Sequence, residues 1–190
     1  MNGVWTAVSL VIALALSLAW YLSYTAARLD RLHARVEGSL ASLDAQLVRR
    51  AEAAAEYAQV ADLDPASALL LASAAAESLQ AAEGALITED VQEVGVPDER
   101  AQAETALTQT LALVVGAPGG GGDVTRQRLA DACDRVELAY RFHNEAVRDV
   151  RRVRAKTIVR ALHLAGRTHL PEEVAFDTRV DGVGRTDAWG

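Results

Sequence analysis

Residues 4–24 read VWTAVSLVIALALSLAWYLSY, within a stretch from residue 1 to residue 27 that contains no charged side chain. A helix of 21 residues is about 30 Å long at 1.5 Å per residue, which matches the thickness of the hydrocarbon core of a bilayer. Trp5 lies near one end, and Trp20 and Tyr24 lie near the other, as aromatic residues do at membrane interfaces. The sequence therefore predicts a transmembrane helix over residues 4–24.

A cleaved signal peptide and a buried helix of a soluble domain are the two alternatives for this stretch. No Lys or Arg precedes the apolar run, and the run is longer than the apolar region of an ordinary signal peptide. The run is also apolar on all faces, whereas a helix at the surface of a small domain has a polar face. A membrane anchor is therefore favoured over both alternatives.

The charges that flank the run indicate an orientation. Arg28, Arg31 and Arg35 follow the run, and no basic residue precedes it. The positive-inside rule then places the amino terminus outside and the rest of the chain in the cytoplasm.

The rest of the chain has the composition and the periodicity of a helical domain. Hydrophobic residues make up 51% of the sequence but aromatic residues only 5%, and alanine and leucine, which favour helices, supply most of the apolar share. Two stripes of mostly apolar side chains recur every three or four residues, as on one face of a helix. The first stripe is Leu29, Leu32, Val36, Leu40, Leu43 and Leu47, and the second is Leu129, Cys133, Val136, Tyr140, His143, Val147 and Val150.

Helix-breaking residues divide this part of the chain into four helices. Asp64 and Pro65 are suited to begin a helix, and the GAPGGGG run at 116–122 has the composition of a flexible linker. The predicted fold is all-α, with the transmembrane helix continuing into an antiparallel four-helix bundle. A coiled-coil dimer of the first and last helices is the alternative. We predict a bundle over 28–166 with helices at 28–62, 65–86, 98–115 and 124–165, and a mostly unstructured tail over 171–190 in which Phe176 docks.

The formal net charge of −7 is unevenly distributed along the chain, and it argues against a general nucleic-acid partner. Residues 51–122 contain twelve acidic residues and one basic residue, whereas residues 148–167 contain seven basic residues and one acid. In an up-down-up-down bundle the fourth helix returns toward the membrane, so its basic end is expected near the bilayer. The hypothesis is a contact with anionic membrane lipid through Arg148, Arg151, Arg152, Arg154, Lys156 and Arg160. Pairing with acids or simple solvation is the alternative, and equal binding to vesicles with and without anionic lipid would contradict the lipid contact.

The sequence contains no recognisable catalytic or cofactor-binding motif. No two of its four histidines have the spacing of a metal-binding pair, and the GAPGGGG run lacks the Lys-Ser/Thr of a phosphate-binding loop. Cys133 is the single cysteine, so an intrachain disulfide is excluded, and its place in the second stripe predicts a core residue. We therefore predict no enzymatic activity, no cofactor, no bound metal and no small-molecule substrate.

Polar residues on the first and last helices form the candidate site. A buried arginine needs a carboxylate or carbonyl partner, so we interpret them as a polar layer that fixes the register of the two helices. A binding surface for a protein partner is the alternative. The residues are Asp44, Gln46, Arg49, Arg50, Arg141 and Asn144.

These residues also carry a resemblance to a known family. Residues 43–50, LDAQLVRR, resemble the I-D-V-Q-L-x-R-R motif of the LemA family of bacterial membrane proteins, and residues 141–147, RFHNEAV, are similar to its R-x-Y-N-x-x-V stretch. His143 stands where the family usually has tyrosine. The resemblance covers roughly residues 4–60 and 124–176, and it implies a membrane-anchored antiparallel helical bundle without an established enzymatic activity.

Anchor, bundle and resemblance together predict a membrane-tethered interaction or scaffold protein of a bacterial cytoplasmic membrane, with an unknown protein partner. An envelope-stress or signalling accessory, whose fourth helix contacts lipid, is one alternative. An enzyme with an unrecognised site is the other. A deep pocket with two titratable groups would favour an enzyme, whereas a long exposed apolar groove would favour peptide or helix binding.

Overall fold

The computed structural model describes residues 2–87, 96–115, 123–155, 173–178 and 180. Four helices account for most of them, and no strand occurs in these ranges. The predicted all-α fold is therefore confirmed. The helices are α1 (Asn2–Val60), α2 (Pro65–Ile87), α3 (Asp98–Val115) and α4 (Asp123–Arg154). The predicted linker at 116–122 and the predicted helical residues 156–165 lie outside the described part of the chain.

Helix α1 has two parts with opposite surroundings. Its first part carries large apolar side chains that are exposed, such as Leu10 at 72% and Trp20 at 76%. It is the one helix of the described chain that is long and apolar enough to cross a membrane. Further along, Leu32 and Val36 pack against α4, and from there α1 belongs to the bundle. One continuous helix therefore connects the candidate membrane span with the packed domain.

Two of the hydroxyl groups within the apolar part of α1 are satisfied inside the helix itself. Ser9 donates a hydrogen bond of 2.9 Å to the carbonyl oxygen of Trp5, and Ser17 donates one of 2.8 Å to the carbonyl oxygen of Ala13. Lipid offers no hydrogen-bond partner, so a span that carries hydroxyls must pair them internally. The local geometry of α1 is therefore compatible with a lipid environment.

The bundle is antiparallel, with α1 packed along α4 and α2 and with α2 packed along α3. Two ion pairs show the register of α1 against α4. Arg35 lies 3.7 Å from Asp149, and Glu56 lies 2.9 Å from Arg128, so residue numbers rise along α1 as they fall along α4. This register brings the end of α4, at Arg154, beside the part of α1 that follows the candidate span.

The hydrophobic core forms three clusters along the bundle. Alanines on α1, such as Ala51 and Ala54, are fully buried against leucines of the other helices, because their small side chains let neighbouring helices approach closely. Each fully buried leucine stabilises the fold by about 1.5–3 kcal/mol. The largest cluster includes Tyr57, Leu71, Leu107, Leu111 and Leu129, the second includes Leu43, Leu47 and Val136, and the third includes Val36, Val147 and Val150.

Helix α2 begins at the residue pair that the sequence indicated. The Asp64 carboxylate accepts hydrogen bonds of 3.0 Å from the backbone N–H groups of Ala66 and Ser67. These bonds satisfy two of the donors that every helix leaves free at its amino end. Hydrogen bonds from Ser67 stabilise the ionised form, so the pKa of Asp64 lies below its ordinary value.

Candidate functional site

A buried group of charged and polar side chains joins α1, α2 and α3. We call it the charge network, and it comprises Arg50, Ser78, Arg100, Glu104 and Thr108. The Arg50 guanidinium and the Glu104 carboxylate are fully buried, and they form an ion pair of 2.6 Å. The same carboxylate lies 3.1 Å from Arg100 and accepts a hydrogen bond of 2.8 Å from the Ser78 hydroxyl. Glu104 is therefore the anion between two buried cations.

The helical spacing of α3 explains how one helix supplies three members of this network. Arg100, Glu104 and Thr108 follow one another at intervals of four residues, so they share one face of the helix. Arg50 reaches that face from α1 and donates a hydrogen bond of 3.0 Å to the Thr108 hydroxyl. Ser78 reaches it from α2, and its carbonyl oxygen accepts a hydrogen bond from Arg100.

The charges of the network are nearly balanced. Asp44, which is half-exposed, lies 3.6 Å from Arg100 and adds a second carboxylate at the edge. Buried guanidinium groups lose their hydration, so each needs an anion or carbonyl close by. Because Arg50 and Glu104 are closed off from solvent, this arrangement supports helix packing and offers no surface to a substrate.

The predicted polar layer between α1 and α4 is distributed over separate places. Arg50 is buried, but its partners lie on α3, which the sequence interpretation did not include. Arg49 is exposed, and Arg141 is exposed and pairs with Glu137 of its own helix. Gln46 is half-buried. Asn144 is buried, yet it bonds to the carboxy-terminal segment and not to α1.

The residues that the sequence interpretation missed carried two weak signals. Arg100 is the single basic residue between residues 51 and 122, which is unusual for a residue with only a surface role. Glu104 follows it at the interval that brings two side chains to one helix face. Neither signal indicates that the pair would be buried.

Residues 173–178 form an extended segment that lies on the bundle, and we call it the strap. Its side chains alternate, with Val174, Phe176 and Thr178 buried and the residues between them exposed. An extended chain directs successive side chains to opposite sides, which gives this period of two. The sequence predicted Phe176 as the docked residue of an unstructured tail. The strap has no helix or strand, but three of its side chains pack on the bundle.

Side chains of α3 and α4 hold the strap, and we call the surface they form the strap groove. The Asn144 side chain forms two hydrogen bonds with the strap backbone. Its amide nitrogen donates to the Val174 carbonyl oxygen at 3.1 Å, and its amide oxygen accepts from the Val174 N–H at 3.0 Å. The Phe176 ring meets the Tyr140 ring edge-on at a centroid distance of 5.5 Å. The Thr108 hydroxyl lies 2.8 Å from the Asp177 carbonyl oxygen.

Most of the described basic residues near the end of α4 have acidic neighbours. Glu173 of the strap lies 3.6 Å from Arg148 and 3.9 Å from Arg151, and Asp149 lies 3.3 Å from Arg152. All of these side chains remain partly exposed, so the ion pairs are weak. Of the predicted lipid contacts, the side chain of Arg154 and the residues Lys156 and Arg160 lie outside the described part of the structure.

His143 is buried where α1 and α4 meet, as its place in the second stripe indicated. Its Nδ1 atom lies 3.0 Å from the Ser39 hydroxyl, and its Nε2 atom has no hydrogen-bond partner among the described residues. Burial disfavours the charged form, so the pKa of His143 lies below its ordinary value of 6.5.

We expect His143 to make the fold less stable as the pH decreases below about 6.5. The unfolded chain protonates this histidine at its ordinary pKa, whereas the folded chain keeps it neutral, so the unfolded state binds more protons below that pH. One group changes the free energy of unfolding by at most about 1.4 kcal/mol per pH unit. Urea titrations in detergent micelles at pH 7.5 and 5.5 should show a smaller loss for His143→Asn than for the wild type. Equal losses would exclude this contribution.

The described residues offer little to metal or nucleophilic chemistry. Within the ranges that the structure covers, no three His, Cys, Asp or Glu residues are placed to hold a metal ion. Burial raises the pKa of the Cys133 thiol to about 11, which keeps it protonated at neutral pH. A shallow depression of about 330 Å³ between α2 and α3 is lined by small and polar side chains, Glu77 and Glu99 among them.

Comparison of this chain with protein-family models, with curated proteins and with solved structures finds no match. The resemblance to the LemA family therefore remains a prediction that rests on residues 43–50 and 141–147. Of the polar residues in these two motifs, Arg50, His143 and Asn144 are the ones that the structure buries, and His143 contacts Ser39 of α1. They have separate roles, since Arg50 belongs to the charge network and Asn144 holds the strap.

Proposed function

We propose that this protein is a membrane-tethered helical interaction module. The observation that supports the proposal is the exposed apolar part of α1, which continues without a break into a packed bundle. An apolar surface of this extent would drive aggregation in water, whereas a bilayer covers it. The bundle is then held at the membrane, where it presents long helical surfaces and the strap groove to other proteins.

The proposal includes the topology and the family that the sequence indicated. The three arginines that follow the candidate span favour a cytoplasmic bundle and an amino terminus on the outer side. The motif resemblance favours a LemA-like protein of a bacterial cytoplasmic membrane. No step of the proposed function requires catalysis, and the partner is a protein, in addition to membrane lipid.

Membrane fractionation of the full-length protein tests this proposal. We expect the wild type to stay in the membrane pellet after washes with high salt and with alkaline carbonate. Replacing both Leu14 and Leu16 with arginine should move most of the protein to the soluble or aggregated fraction, because each charge at the centre of a span costs about 2.5–3.5 kcal/mol.

A matched control uses a leucine of equal exposure in the bundle. Leu14 and Leu69 are both 71% exposed, but Leu69 lies on α2, away from the candidate span. Leu69→Arg should therefore remain in the pellet. Release of the wild type by salt alone, or equal retention of the Leu14/Leu16 double variant, would overturn the membrane anchor.

A second candidate function is a signalling accessory whose α4 contacts anionic lipid. The antiparallel register supports it, because the end of α4 lies beside the part of α1 that follows the candidate span. The acidic neighbours of Arg148, Arg151 and Arg152 reduce the charge that these residues offer to lipid. The interaction module is therefore the better supported function.

A further inference from the structure

The strap contacts the bundle in the way that a bound peptide contacts a recognition domain. One side-chain amide, that of Asn144, satisfies both backbone groups of Val174, which fixes an extended chain whatever its sequence. The alternate side chains Val174 and Phe176 enter the second core cluster beside Leu43 and Val136. Backbone hydrogen bonds combined with pockets for alternate side chains are the recurring mode of extended-peptide recognition.

The strap groove also favours a negatively charged residue at the start of the bound segment. Arg148 and Arg151 lie beside the Glu173 carboxylate at the start of the strap, on the same side of α4 as Asn144. The chemistry that fits the groove is therefore an acidic residue, an apolar residue, any residue and then an aromatic residue, all in an extended chain.

The Thr108 hydroxyl beneath the strap keeps a hydrogen-bond acceptor when the strap leaves. The Thr108 hydroxyl has two acceptors within reach, the Asp177 carbonyl oxygen at 2.8 Å and the Glu104 carbonyl oxygen at 2.9 Å. A hydroxyl carries one proton, so it donates to one of them at a time. When the strap leaves, the proton can pass to the carbonyl of its own helix, a bond that threonine commonly forms.

The chain that connects the described end of α4 to the strap is seventeen residues long. Residues 156–172 separate the described end of α4 from Glu173, and an extended chain of this length reaches up to about 55 Å. Yet Glu173 lies beside Arg151, only four residues before Ala155. A connection of this length can deliver the strap to a neighbouring molecule as well as to its own groove.

From these observations we propose that the strap groove is a peptide-binding site, and that the strap of a second copy of this chain occupies it in exchange with the molecule's own strap. This deepens the proposed function, since it names the partner of an interaction module. A second copy presents the same acidic, apolar and aromatic residues by definition, and anchoring in one membrane raises its local concentration.

Two full-length variants with different tags, co-expressed in the same membranes, separate the donor of the strap from its recipient. The donor carries Asn144→Leu, which disables its own groove, and a photo-crosslinking residue at the exposed position Ala175. The recipient carries Val174→Ser and Phe176→Ser, so that its groove is intact and its own strap does not dock. We expect light to join the two chains, about tenfold more than with a donor whose own groove is intact, because loss of two hydrogen bonds frees the donor's strap.

A recipient that also carries Asn144→Leu is the matched control, and it should lose the crosslink while keeping any association through the membrane helices. If Asn144→Leu does not fold, Tyr140→Ala disables the groove in its place. No crosslink to the intact groove, or an equal crosslink to the disabled one, would overturn the exchange. The membrane fractionation is independent of this result, so the anchor and the strap exchange fail separately.

Discussion

Replacing Glu104 with glutamine is expected to lower the free energy of unfolding by about 3–5 kcal/mol, because it leaves two buried guanidinium groups without their shared anion. Glu104 is fully buried, and its carboxylate lies 2.6 Å from Arg50 and 3.1 Å from Arg100. Glutamine has nearly the same shape, so the packing is conserved, while the substitution removes the negative charge and replaces one of the two acceptor oxygens with an NH2 donor. Urea titration of the full-length protein in detergent micelles, followed by circular dichroism, measures the difference.

Two control variants identify the source of this loss. Glu99→Gln removes an exposed carboxylate from the same helix and should change the free energy of unfolding by less than about 0.5 kcal/mol. Arg50→Met should cost less than Glu104→Gln, because Glu104 then still pairs with Arg100. If Glu104→Gln were as stable as Glu99→Gln, the charge network would contribute nothing to the fold.

Replacing Leu71 with alanine is expected to cost about 3 kcal/mol, the usual loss for a buried leucine that leaves a cavity. Leu71 is fully buried in the largest core cluster, on the helix that packs against α1 and α3. The neighbouring helices can relax only partly into the space that the side chain leaves, so both the transfer free energy and the cavity contribute. The same urea titration measures the shift in the midpoint.

Leu69 provides the comparison, because it lies two residues before Leu71 on the same helix but is 71% exposed. Leu69→Ala should therefore change the free energy of unfolding by about 0.5 kcal/mol or less. The two leucines have the same helix propensity, so the difference between the variants reports burial alone. Equal losses in the two variants would show that α2 packs with a different face.

The all-α fold could be predicted because the decisive patterns are local. The two apolar stripes have helical spacing, and members of both are buried where α1 meets α4. Examples are Val36 and Leu43 on α1 and Val147 on α4. The face that α2 buries could not be predicted in the same way. Leu69, Leu70 and Leu71 are consecutive, and α2 is apolar on most sides, so periodicity does not indicate which leucine enters the core.

The candidate site was less predictable, because its contacts depend on how helices align with one another. The apolar surroundings of Arg50 in the sequence indicate that it needs a carboxylate partner. The sequence offers two candidates, Asp44 on the same helix and Glu104, 54 positions away, and does not indicate which one pairs with Arg50. The alignment of α3 with α1 decides between them, and helical spacing within one segment carries no information about it. The same limit applies to Asn144, whose partner is a strap without regular secondary structure.

The unbroken course of α1 has a mechanical consequence in the proposed topology. The 59-residue helix is continuous from the span into the bundle, so a tilt of the span tilts the rest of α1 by the same angle. A tilt of about 20° would move the far end of α1, roughly 50 Å beyond the bilayer, sideways by about 18 Å. That displacement is about two helix widths. A thinner bilayer favours a larger tilt, and it would therefore move the surface farthest from the lipid sideways.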